Sequence, residues 1–292
     1  MGDRRSFHFR AFALGARLGA PSAAIGRTAG VLLCCAVACG CERQRPPRES
    51  FAHLDIGNGA AEQAYLAPPR VVNAVIGADG AIAISGRSAA TAQVTFSTPE
   101  GEVFHTTSDA EGNWTVRLPQ AGLPRLFAIS SQQARGRAVH AEGALVTVPH
   151  AVFPAVLVRA GYPAQPFGMV RAPDIVSVDY DPGGFAGVSG FAPARSSVRL
   201  TVDGLPAGVA QADAQGRFAI LAANANRRPG FGPHEVEAAT TAGVVRRTVM
   251  LTPPAPLAGA YAATGAPGSW TVEWALNGGG VQTTLLLAPP RS

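Results

Sequence analysis

The sequence predicts an all-β fold: two related modules in tandem, followed by a C-terminal β-hairpin. Three observations carry that prediction. The chain holds 34 glycines and 24 prolines in 292 residues, with only 15% charged residues. That balance suits short strands joined by many turns and argues against long, charge-decorated helices. Apolar residues fall in short alternating runs, each ended by Gly, Asp, Asn or Ser. Finally, one stretch of the chain matches another at a constant spacing.

That self-match is the most informative feature. Pro69-Arg-Val-Val72 aligns with Pro173-Asp-Ile-Val176, Ser85-Gly86 with Ser189-Gly190, and Val94 with Val198. Asp109-Ala-Glu-Gly-Asn-Trp114 aligns with Asp213-Ala-Gln-Gly-Arg-Phe218, every pair being 104 residues apart without a gap. Pro149 and Pro253 keep the same offset. The identities gather at turn residues and core-type positions, where a shared fold constrains a sequence. Between about 120 and 145 the copies drift and need compensating gaps.

Within the first copy, Val71–Ile76 reads as an apolar opening strand, and Ala81–Ser85 and Gln93–Ser97 alternate, with Val94 and Phe96 on one side. Val103–Thr107 and Trp114–Leu118 flank Asp109-Ala-Glu-Gly112. Asp at the first turn position accepts bonds from the following amides, and Gly at the fourth tolerates positive φ. A hairpin is expected there, delivering Trp114, or Phe218 in the second copy, to the core. Leu126–Ser130 and Ala144–Val148 supply later strands, matched by Val236–Thr240 and Val245–Leu251. Several short strands within one such span is the pattern of a β-sandwich.

The opening Pro with its apolar strand, the Ser-Gly after the second strand and the Asp-Ala-x-Gly-x-Trp/Phe turn resemble bacterial immunoglobulin-like domains and the related carboxypeptidase-regulatory-like β-sandwiches. The resemblance spans 69–149 and 173–253. It implies two tandem immunoglobulin-like β-sandwiches, and it is nearly silent on function, because such modules serve as spacers, adhesion modules and accessories of enzymes. Between them lies an apolar, Pro- and Gly-rich segment, 150–172, which points to a fixed relative orientation.

Residues 254–292 read as the C-terminal β-hairpin. Trp270-Thr-Val-Glu-Trp-Ala-Leu276 alternates, Asn277-Gly-Gly-Gly280 turns, and Val281–Leu287 returns. Trp270, Val272, Trp274 and Leu276 share one face. A lone hairpin is marginal in water, so this one is expected to pack on the second module or on another chain. The alternative is that Trp270 and Trp274 face a ligand and stack on a sugar.

The N-terminal region has a different character. Basic residues precede a short apolar run, Ala29-Gly-Val-Leu-Leu-Cys-Cys-Ala-Val-Ala38, too short to span a bilayer comfortably, which is the layout of a secretory signal. All four cysteines, Cys34, Cys35, Cys39 and Cys41, lie within eight residues of one another. Ala36-Val37-Ala38-Cys39 and Ala38-Cys39-Gly40-Cys41 both resemble the lipobox of bacterial lipoproteins, with Ala where Leu is usual three positions before the cysteine. That resemblance implies lipidation at Cys39, preferred, or at Cys41. A structural zinc site would need a second, distant ligand pair, and the remainder of the chain has no cysteine. Arg4-Arg5-Ser6-Phe7 resembles a twin-arginine export motif but sits far from the apolar run. The expected organisation is a signal peptide over 1–38, a flexible Pro/Arg-rich tether over 39–68, module 1 over 69–149, the inter-module segment 150–172, module 2 over 173–253 and the hairpin over 254–292. The residue after either cysteine is not the Asp that retains lipoproteins at the inner membrane, which favours the outer membrane.

Composition also excludes chemistry. The 24 basic residues are all Arg, so lysine Schiff bases are ruled out. The sequence pI near 9.5 and net charge of +5 suggest nucleic acid, yet residues 1–38 carry Arg4, Arg5, Arg10, Arg17 and Arg27 against Asp3. That +4 leaves about +1 for the rest of the chain, with no dense basic face; Arg227–Arg228 and Arg246–Arg247 are isolated pairs. The histidines, His8, His53, His105, His140, His150 and His234, show no zinc-binding spacing. Gly187-Val-Ser189-Gly-Phe191 lacks the last Gly and the helix of a nucleophile elbow. Asp179-Tyr-Asp181-Pro-Gly-Gly184 is the densest acidic spot, read as a β-turn in preference to a calcium site. No catalytic, cofactor or metal residues are assigned. The expectation is a lipid-anchored cell-envelope protein with a binding or spacer role, partnered by the membrane and by an envelope protein or polysaccharide, and not an enzyme. A carbohydrate-binding lipoprotein is the alternative, and an envelope enzyme with an unrecognised site the third reading.

Overall fold

The computed structural model describes residues 67–288 except 135, 150–152, 169 and 223–228. The signal peptide, most of the tether, Cys39 and Cys41 therefore lie outside the described residues, as do His8, His53, His150 and Arg227–Arg228. Among the described residues there is no helix, hence none long and apolar enough to cross a membrane.

The first repeat contributes β1 (Arg70–Ile76), β2 (Ile82–Arg87), β3 (Gln93–Ser97), β4 (Val103–Thr107), β5 (Asn113–Leu118), β6 (Arg125–Gln132) and β7 (Val139–Thr147). The segment 150–172 carries β8 (Ala155–Arg159) and β9 (Tyr162–Phe167). The second repeat gives β10 (Asp174–Asp181), β11 (Gly184–Phe191), β12 (Ser197–Val202), β13 (Leu205–Gln211), β14 (Arg217–Leu221), β15 (Gly232–Thr240) and β16 (Gly243–Leu251). The C-terminal region holds β17 (Tyr261–Ala266), β18 (Ser269–Ala275) and β19 (Val281–Leu287).

Four antiparallel sheets result, in the orders β1-β2-β5, β4-β3-β6-β7-β8-β9, β14-β11-β10-β19-β18-β17 and β13-β12-β15-β16. Each repeat thus forms a sandwich with its first, second and fifth strands in one sheet and the other four strands in the facing sheet, an immunoglobulin-like layout. Three apolar cores lie between successive sheets. Phe96, Trp114, Phe127 and Leu145 centre the first. Tyr180, Phe185, Leu200 and Phe218 centre the one inside the second repeat. A third joins Val146, Phe153, Val156 and Val158 to Val176, Phe191, Val272, Trp274 and Leu286. Alternation along each strand makes this possible: Leu145 faces the first core and Val146 the third, while Leu285 faces the core of the second repeat and Leu286 the third.

The repeat is visible in the backbone. A bulge interrupts the first strand pair between Val71 and Asn73, and the second copy has it between Ile175 and Ser177. Gly112 and Gly216 have φ of 83° and 78°, and Thr91 and Arg195, also paired by the repeat, have 54° and 60°. The Ser-Gly motif has a steric cause. A Cβ on Gly190 would sit 2.0 Å from the Asp174 carbonyl oxygen and 2.9 Å from the Phe218 ring, and one on Gly86 2.1 Å from Trp114. Gly190→Ala is expected to cost about 3 kcal/mol, read as a lower midpoint in urea unfolding, because the obstacle is backbone and cannot swing away.

One expectation is corrected. Asp109–Gly112 does not close a hairpin, since β4 pairs with β3 in one sheet and β5 pairs with β2 in the other. The turn is a crossover between sheets. Asp109 Oδ1 accepts from the amides of Glu111 and Asn113 at 3.0 and 2.7 Å, as the turn chemistry requires. The turn's outer backbone groups, however, bond the other crossover, Ser88 N to Gly112 O at 2.9 Å and Thr91 N to Asp109 O at 3.1 Å. The second copy repeats this with Ala192 N to Gly216 O at 2.7 Å. Local turn preference is the same for hairpin and crossover; the partner of each flanking strand decides.

The Asn277–Gly280 hairpin forms as expected, with Trp274 opposite Gln282 and Ala275 opposite Val281. It has a third strand, β17, that its weak alternation concealed, and β19 adds to the edge of β10.

Candidate functional site

Two kinds of place can carry function here: a buried polar seam between the repeats and the solvent-facing edges of the sheets. The seam lies where β9, β10, β11 and β19 meet. Asp179 is fully buried on β10. Its Oδ1 accepts from Thr284 Oγ1 at 2.6 Å, and its Oδ2 accepts from Ala164 N at 2.8 Å and Ser177 Oγ at 3.2 Å. Ser177 and Ser189 hydroxyls lie 2.7 Å apart. Gln282 extends the seam, accepting from Gly161 N at 2.9 Å and donating to Tyr162 O at 3.2 Å. Burial raises the Asp179 carboxyl to about 6, against the lowering pull of its bonds to Thr284, Ala164, Ser177 and Gln282. With no solvent access and its acceptor atoms occupied, this carboxylate ties three parts of the chain together and presents nothing to a substrate.

Sequence reasoning saw Asp179 only as half of an acidic pair. The turn it favoured is present, with Asp181 opposite Gly184 and Gly183 N donating to Asp181 Oδ1 at 2.7 Å. Asp179 itself lies on the strand side of that turn. The available signal was a carboxylate two residues inside β10, a strand buried on both faces.

Other polar groups are similarly committed. Arg247 of β16 pairs with Asp174 of β10 across the second sandwich, both mostly buried. Burial raises the Asp174 carboxyl, and Arg247 opposes that rise. His234 Nδ1 lies 2.7 Å from Asp203 Oδ2, which holds Asp203 below the usual carboxylate range. Its Nε2 lies 2.9 Å from the Gly230 carbonyl oxygen, so both ring nitrogens already face groups of the protein. His105 bonds Thr95 at 3.1 Å on an exposed strand. Among the described residues, no three His, Cys, Asp or Glu side chains converge as metal ligands.

The aromatic pair of the hairpin is turned inward. Trp274 is 9% exposed within the third core, and Trp270, like Tyr261 and Leu276, is half-buried against it. Burial leaves Trp274 no open ring face for a sugar.

Shallow surface clefts also occur among the described residues. One of about 340 Å³ is lined by Thr91, Gln93, Thr107 and Gln132, and another of about 280 Å³ by Glu100, Leu123, Arg125 and Tyr261. In the second, Arg125 pairs with Glu102 and stacks 5.1 Å from the Phe127 ring centre. Partial burial and the neighbouring Glu100 raise the Tyr261 hydroxyl.

The fold and these sites define a tandem β-sandwich protein. No family model matches the chain, and no curated protein matches it. Among solved structures the chain is similar to one described as "Biofilm associated protein - BSP domain", at 14% identity and a TM-score of 0.23. The match covers 65% of this chain and 30% of that one. A likeness this loose places no strand, and the fold rests on the sheets themselves.

Proposed function

We propose that the chain is an exported lipoprotein, anchored through Cys39 or Cys41, whose β-sandwiches act at the cell envelope in binding or spacing without catalysis. The outer membrane is the favoured location, and an envelope protein or polysaccharide the favoured partner class. The observation that carries the binding or spacing role is the third core, which packs both sandwiches and the C-terminal strands against one another. Such packing suits a module that holds a surface at a distance or presents it. The anchor rests on the leader, where the basic region, the short apolar run and the small residues before cysteine follow one another.

Intact mass of the membrane-extracted protein tests the reading, with Cys39→Ala and Cys41→Ala variants alongside. A lipid-modified mass that disappears in one variant only is expected, and it identifies the anchor. An unmodified, soluble product would remove the lipoprotein assignment and leave an exported sandwich protein.

A further inference from the structure

The two repeats differ at one edge. In the second copy, β10 pairs with β11 on one side and receives β19 on the other, Ser177 opposite Leu286, Val178 opposite Leu285, Asp179 opposite Thr284 and Tyr180 opposite Thr283. In the first copy the corresponding residues are Asn73, Ala74, Val75 and Ile76, and among the described residues β1 pairs with β2 alone. Val72, Val75 and Ile76 are 54%, 41% and 41% exposed on this strand. An edge strand with unpaired backbone groups and apolar side chains is a template for another strand. A bulge commonly blunts such an edge. Here it does not, because the second copy has the same bulge at Ile175–Ser177 and still accepts β19 immediately beyond it.

We propose that the free edge of β1 is a docking site for an antiparallel strand from a partner polypeptide, paired with residues 73–76 as β19 pairs with 177–180. The second copy states the chemistry such a strand needs. Ala74 points into the first core as Val178 points into its own, so the residue opposite Ala74 is apolar, as Leu285 is. Val75 stands where the second copy has Asp179, so a β-branched apolar residue replaces Thr284 there. Main-chain bonds supply affinity, and these two positions supply selection. The outer face of the sheet beside β1 carries Arg87, Asn113, Thr115 and Arg117, all exposed. A single added strand therefore fits this edge better than a second layer. This deepens the binding reading by naming a surface, and lipid modification plays no part in it, so the two tests fail separately.

The test is hydrogen exchange by mass spectrometry on the full-length protein, with a peptide of residues 280–288 carrying Thr284→Val as the probe. The amides within 73–76 that point away from β2 are expected to exchange quickly in the free protein and roughly tenfold more slowly with saturating peptide. Asn113–Leu118, the other edge of the same sheet, should be unchanged. A probe that also carries Leu285→Lys should give no protection, and the exposed Val75→Lys variant, which leaves the cores untouched, should weaken it. Slow exchange of these outward-pointing amides in the free chain would show the edge already covered by the protein itself and would overturn the proposal. So would protection that rises with protein concentration alone, which assigns the edge to a second copy, or protection spread equally over both edges.

Discussion

Replacing Trp274 by alanine is expected to lower stability by about 4 kcal/mol and to split a single unfolding transition into two. The side chain fills the third core together with Val272, Leu286 and Val176 on one sheet, Val156 and Val158 on the other, and Phe153 just before β8. Truncation opens a cavity where the two repeats meet, while the two inner cores keep their own residues. Trp274→Phe is the informative partner. The indole nitrogen is buried without a hydrogen-bond partner, so phenylalanine discards an unsatisfied donor and keeps most of the packing, with an expected change within about 1 kcal/mol. Denaturant unfolding followed by tryptophan fluorescence and far-ultraviolet circular dichroism reads both variants. If Trp274 instead faced a sugar, Trp274→Ala would leave stability unchanged and abolish binding to polysaccharide.

Asp179 gives the second large effect. Alanine there strands the Ala164 amide and the Thr284 and Ser177 hydroxyls in a buried seam, and is expected to cost about 3 kcal/mol or more. Asparagine should be far milder, because its carbonyl oxygen can accept from Ala164 and Ser177 while its amide donates to Thr284. The pH dependence follows in sign. The folded carboxyl, at about 6, lies above its unfolded value near 4. Its contribution is therefore fully present below about pH 4 and is lost as pH rises through about 6, on the order of 3 kcal/mol in all. Asp79, Asp109 and Asp203 shift in the opposite direction, so the quantity to measure is wild type minus Asp179→Asn. That difference should fall between pH 4 and 7 and then stay flat. A difference independent of pH would show the carboxylate to be solvated.

The parts of this fold legible in the sequence are those that local chemistry dictates. Pro69 and Pro173, the Ser-Gly pairs and the Asp-Ala-x-Gly turns are fixed by bulges, ring contacts and positive φ within each sandwich, and their 104-residue spacing survives in the strand registers. The Trp270–Leu276 alternation pointed to a packing face, and Val272 and Trp274 on it are buried while Trp270 and Leu276 are half-buried. Long-range packing was hidden. Gly187 breaks the pattern shared with Ala83 because β9 crosses above it, and a Cβ there would lie 2.6 Å from the Pro163 ring. The apolar character of 150–172 suggested a fixed connection but not that β8 and β9 would widen one sheet and cover another. The burial of Asp179 was hidden for the same reason, since two of its donors come from residues 15 and 105 positions away. The turn at 109–112 was read from local preference alone, which cannot tell which sheet the next strand joins.

Calorimetric unfolding of the wild-type protein tests most directly the claim that the two repeats and the C-terminal strands are packed into one array. A single transition is expected, with equal calorimetric and van't Hoff enthalpies. Two independent transitions, each assignable to one repeat, would contradict the account and leave two sandwiches that merely follow one another along the chain.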